Sequence, residues 1–102
     1  MDVILLSILS EGDSYGYDIV QQVNDLTHGA LLLKEGSLYP ALKRLEANHF
    51  IEGYWGTDKN TGPRRRYYSI KERGRTHLKG LKREWDAEQL VLSMFFRKVI
   101  FE

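Results

Sequence analysis

Tyr39 and Lys43 stand four residues apart. With Ser37 and the arginines Arg64, Arg65 and Arg66, they are the groups of this chain best placed to do chemistry. Residues at i and i+4 share one face of a helix. A phenol and an ammonium on an otherwise small, flat face suit a helix that lies in a groove. The arginines, with Lys59 on the other side of a loop-like stretch, suit phosphate or a minor groove. Adjacent strand residues point to opposite faces, so the three arginines cannot all meet one partner. Arg44 sits to the side of the Tyr39 face, where phosphate contact and a surface ion pair are both open.

Catalytic chemistry has no comparable support. There is no serine-nucleophile elbow, no phosphate-cradling glycine loop and no paired-carboxylate signature. His28, His49 and His77 fall in separate elements at no metal-binding spacing. No cysteine is present, which excludes disulfides, thiol nucleophiles and cysteine zinc sites and suits a reducing cytoplasm. No catalytic residue, metal or cofactor is expected.

The formal net charge of +1 hides a strong segregation. Residues 1–58 carry −6, residues 59–83 carry +9 and residues 84–102 carry −2. The middle block by itself fits a solvated basic face; beside the third-helix face it fits a phosphate-facing patch, with double-stranded DNA as the partner. No signal peptide is visible ahead of Val3 to Leu9, and the apolar C-terminal run, broken by Arg97 and Lys98, is too short to span a membrane.

These groups need elements to hold them. Asp2 to Ser10 reads as a helix, with Ile4, Leu5, Ile8 and Leu9 on one face. Ser14 is the expected cap of a second helix from Tyr15 to about Thr27, its buried stripe made by Ile19, Val20, Val23 and Leu26. Gly29 is its expected left-handed stop. Leu31 to Leu33 reads as a single small strand. A third helix spans about Ser37 to Asn48, with Ser37 as N-cap and Pro40 in the tolerant first turn. Leu38, Ala41, Leu42 and Leu45 form its buried stripe. Phe50 to Trp55 and Arg64 to Ile70 read as a hairpin, with Arg66, Tyr68 and Ile70 on one strand face and Arg65, Tyr67 and Ser69 on the other.

The last helix begins near Glu72 and runs almost to the C-terminus. Leu78, Trp85, Leu92 and Val99 repeat every seven residues, Leu81 and Phe95 take the complementary positions, and Glu88 breaks that second row. From Leu90 to Phe101, nine of twelve residues are apolar. Such a segment must be covered, and a domain this small has little surface to spare. The expectation is a homodimer joined through Leu81, Leu92, Phe95, Phe96 and Val99.

The predicted fold is mainly α with a small β-hairpin: a winged helix-turn-helix over residues 1–70 and a C-terminal dimerisation helix over 71–102. At this level the chain is a cytoplasmic DNA-binding regulator. The alternatives are a winged helix used as a protein-interaction module and a regulator with no ligand.

The chain resembles the PadR family of bacterial transcriptional regulators. The resemblance is carried by Tyr15-Gly-Tyr17, by Gly36-Ser-Leu-Tyr-Pro-Ala-Leu-Lys-Arg-Leu-Glu46, by Ile51 with Tyr54-Trp55-Gly56, by Arg65-Arg-Tyr-Tyr68 and by Gly74. It implies a homodimer that represses transcription from a pseudo-palindromic operator. The single short C-terminal helix is similar to the compact, multidrug-sensing branch of the family. In that branch a tryptophan at the place of Trp85 stacks on planar, often cationic, aromatic molecules. The acidic residue that helps there four positions later is Gln89 here, with Glu84 or Glu88 as possible substitutes. Lys71 stands where the family has a capping Thr or Ser. Asn48 or His49 must carry the left-handed turn after the third helix.

Overall fold

The computed structural model describes residues 1–56 and 64–99. Within them the order is α1 (Asp2–Glu11), β1 (Ser14–Tyr15), α2 (Gly16–Thr27), α3 (Glu35–Ala47), β2 (Ile51–Trp55), β3 (Arg66–Ile70) and α4 (Glu72–Phe96). This is a winged helix-turn-helix with one long added helix. Lys59 and Phe101 lie outside the described residues.

The core is built from apolar stripes at helical spacing. Leu5, Leu6 and Leu9 of α1 meet Ile19 of α2 and Leu38, Leu42 and Leu45 of α3, all essentially solvent-free. Each such side chain contributes on the order of 1.5–3 kcal/mol relative to exposure. Ile51 and Tyr68 close the core from the sheet. The α3 stripe is as the sequence predicts. That of α2 is shorter: Leu26 is 81% exposed, because the last turn of α2 runs past the edge of the core.

The third strand is not where the apolar run predicts it. Leu31 to Leu33 forms no strand, and only Leu33 packs against the core. The Leu31 amide is taken up by the Thr27 hydroxyl at 3.2 Å. Instead Ser14 and Tyr15 pair antiparallel with Tyr68 and Tyr67, giving the sheet order β1-β3-β2. Ser14 is therefore a buried strand residue and not the cap of α2. Its hydroxyl donates to Asp18 at 2.5 Å, and Tyr15 occupies the N-cap.

Two further boundaries differ. α3 starts at Glu35 with Lys34 as N-cap, so Ser37 lies inside the first turn and makes no cap bond. Pro40 then falls in the second turn, where its missing N–H leaves the Gly36 carbonyl without its intrahelical donor. The paired part of the return strand starts at Arg66, two residues later than predicted. His49, at φ 62°, supplies the left-handed turn after α3, while His28 and Gly29 share that role after α2.

α4 is joined firmly to the domain at its start. A Cβ on Gly74 would lie 2.2 Å from the Phe50 carbonyl oxygen, so the helix crosses that loop where no side chain fits. His77 stacks on Phe50 at 4.3 Å with planes 6° apart. Leu78 packs against the core. From Arg83 to Leu92 every residue of α4 is exposed.

Candidate nucleic-acid interface

α3 and the base of the hairpin carry the residues that the sequence singles out for DNA. Ser37 and Lys43 are exposed, and Lys43 makes no ion pair among the described residues. Tyr39 is 47% exposed. Its hydroxyl lies over Gly16, where a Cβ would come within 2.5 Å of it. Tyr39 is thus braced against the start of α2.

The four described arginines of the predicted site divide. Arg64 is exposed. Arg65 lies on the outer face of the sheet, its Nη1 donating to the Tyr15 hydroxyl at 3.2 Å and its guanidinium 4.6 Å from the Tyr15 ring centroid. Tyr15, Tyr67 and Tyr54 are in register across the three strands and carry it. Tyr54 donates to Asp13 at 2.6 Å, and that bond to a carboxylate raises its pKa above the ordinary tyrosine value.

Arg44 and Arg66 are placed otherwise. Arg44 turns toward α1 and pairs with Asp2 at 2.6 Å, the ion-pair arrangement of the two readings open to it. Arg66 pairs with Glu46 of α3 at 3.3 Å and stands over the Trp55 ring. Sequence reasoning put Arg66 on the same strand face as Tyr68 and Ile70 and still counted it with the outward arginines. The alternation was the signal that separates it from Arg65. Trp55 was missed as a partner because nothing in the local pattern pairs it with residue 66.

This surface belongs to a recognisable lineage. Residues 5–80 match the sequence profile of the transcriptional regulator PadR-like family. The chain belongs to that family. PadR-like proteins are transcriptional regulators, not enzymes. A transcriptional regulator from Clostridium thermocellum is 39% identical, with 93% of this chain and 91% of that one covered and a TM-score of 0.83. A PadR family regulator from Clostridium difficile is 37% identical, covering 93% and 96%, at a TM-score of 0.81. A Lysinibacillus sphaericus protein described as uncharacterized is 36% identical over 95 residues, 93% of this chain and 86% of its own.

This PadR-like chain also carries a second surface on α4. Trp85 is 55% exposed and, with Val3, Ser7, Leu78 and Leu81, lines a groove of about 630 Å³ between α1 and α4. Glu84, Glu88 and Gln89 are all exposed and do not line it. The charged lining is Lys79, Lys82 and Arg83. Lys82 Nζ stands 5.4 Å from the Trp85 ring centroid and is itself held by Asp86 at 2.5 Å. A planar cation on this ring face would have to displace an ammonium already there. Leu92, Phe95, Phe96 and Val99 are all exposed in the single chain. Among the described residues no helix is long and apolar enough to cross a membrane.

Proposed function

We propose that this chain is a homodimeric, cytoplasmic DNA-binding repressor. α3 enters the major groove with Lys43 and Tyr39 toward the bases. Arg64 and Arg65, with Lys59 from the stretch between β2 and β3, meet phosphate, and Ser37 reaches the backbone near the helix start. Two copies joined through α4 read half-sites about one helical turn apart.

The observation that carries this reading is the exposure of Lys43 on α3 and of Arg64 and Arg65 at the base of the wing, none of them in an ion pair among the described residues. Its second support is the apolar distal half of α4. Leu92 and Phe95, with Val99 just past the helix end, are each exposed, and apolar side chains left open to water support an interface there. Release by a small planar aromatic molecule in the α1–α4 groove is part of the same proposal and is supported by the apolar lining around Trp85.

The test is enrichment of bound duplexes from a random library, followed by sedimentation of the protein with the enriched duplex. The expected result is an inverted repeat bound by two copies. A folded protein that enriches nothing at low salt would overturn the DNA-binding reading and leave a protein-interaction module.

A further inference from the structure

Arg66 differs from its neighbours in what it touches. It lies on the α3 side of β3, in register with Trp55. Its Nη2 meets Glu46 Oε2, in the last turns of α3, at 3.3 Å. Its guanidinium is 5.3 Å from the Trp55 ring centroid. It also lies across Gly53, where a Cβ would come within 2.6 Å of Nη2. One planar side chain thus joins β3 to both β2 and α3. Arg65, one residue away, lies on the opposite face with Tyr15.

We infer that Arg66 is a strut that sets the angle between the wing and α3, with Glu46 as its anchor and Trp55 and Gly53 as its seat. It is a positioning residue and not a phosphate ligand. The inference rests on reading α3 and the wing as a DNA-binding surface. Those two elements meet different parts of one duplex, so the angle between them fixes the spacing of their contacts. To bind phosphate, Arg66 would have to leave a charge-assisted bond and a ring face, and Glu46 would then confront DNA as an unpaired carboxylate. The seat also explains residue choice. A flat guanidinium fits between the indole and the glycine, and lysine, with no planar head, does not reproduce it. Any side chain at position 53 would push it out.

The two roles predict opposite signs for Glu46→Gln. Were Arg66 a phosphate ligand, removing its competitor would free it, and the enriched duplex would bind more tightly. A strut that loses its anchor lets the wing drift, so binding should weaken by about three- to tenfold. Arg66→Lys should weaken it similarly, although the charge is kept. Neither Glu46→Gln nor Arg66→Lys should change the dependence of affinity on salt, whereas Arg65→Ala should lower that slope by about one. The second measurement uses free protein: the Trp55 indole N–H resonance should shift in both Glu46→Gln and Arg66→Lys. Tighter binding by Glu46→Gln, or a salt slope lowered by about one in Arg66→Ala, would overturn the strut. An unmoved Trp55 resonance would overturn it as well. If the parent protein binds no duplex, the DNA-binding reading fails on its own, and the Trp55 resonance still decides whether the strut exists.

Discussion

Arg44 Nη2 donates to Asp2 Oδ1 at 2.6 Å, so the C-terminal part of α3 is tied to the first turn of α1. The same carboxylate has its other oxygen 3.5 Å from His77 Nε2 on α4. Asp2 is therefore shared by three helices. Burial alone would raise its pKa, but the bond and charge of Arg44, with the His77 contact, outweigh burial and hold it below the ordinary aspartate value.

That direction fixes a pH dependence. A depressed carboxyl contributes stability that is full above its unfolded value and is lost as pH falls through its folded value. Asp2→Asn should therefore destabilise the protein at neutral pH, by about 0.5–1 kcal/mol for a partly exposed pair. The gap should close as pH drops well below about 3.9. Urea melts of parent and variant at neutral and acid pH measure it, and a gap that persists in acid would show that the loss is not electrostatic.

Assembly can be tested on α4 alone. Leu92→Glu combined with Phe95→Glu places carboxylates in the exposed apolar stretch, far from the domain core. Sedimentation should show a dimer for the parent and a folded monomer for the double variant. A parent that is monomeric at micromolar concentration would remove α4 as the interface.

Lys43 and Arg65 should fail in different ways on DNA. Lys43→Ala should change which sequences are preferred, costing about 1–3 kcal/mol on the enriched duplex. Arg65→Ala should weaken all duplexes alike and flatten the salt dependence. Affinities over a salt titration, on enriched and mixed-sequence duplexes, separate the two. Equal losses on both duplexes for Lys43→Ala would exclude it from base reading.

The α1–α4 groove makes a prediction through Lys82. Its ammonium already occupies the ring face of Trp85. Lys82→Ala should open that face and tighten binding of a planar cationic dye by several-fold, in line with about 0.5–1 kcal/mol for an exposed cation–π contact. Trp85 fluorescence reports it, because a dye stacked on that ring would quench it. Unchanged dye affinity would mean that cations do not use this face.

The helices and their core stripes were legible because periodicity is a local property. Leu38, Ala41, Leu42 and Leu45 announce the buried side of α3 by spacing alone. Strand β1 was not legible, since two residues carry no period and Ser14 and Tyr15 become a strand only because Tyr67 and Tyr68 lie beside them. The Leu31 to Leu33 run shows the converse: apolar character without a partner strand makes no strand. Alternation along β3 correctly divided Arg65 from Arg66. The identity of Arg66's anchor was hidden, because Glu46 lies 20 residues away and meets it only through the packing of α3 on the sheet.

α4 runs for 25 residues without a break. At about 1.5 Å per residue it is a rod of roughly 37 Å. Gly74, His77 and Leu78 clamp one end of that rod to the domain that carries α3. In a dimer joined near the other end, a pivot of about 5° there sweeps the clamped end through about 3 Å, over the rod length set by the helical rise. That is close to one step of about 3.4 Å along a DNA strand. Lever geometry alone would therefore turn a small change between the two rods into a shift of each reading helix by about one base pair.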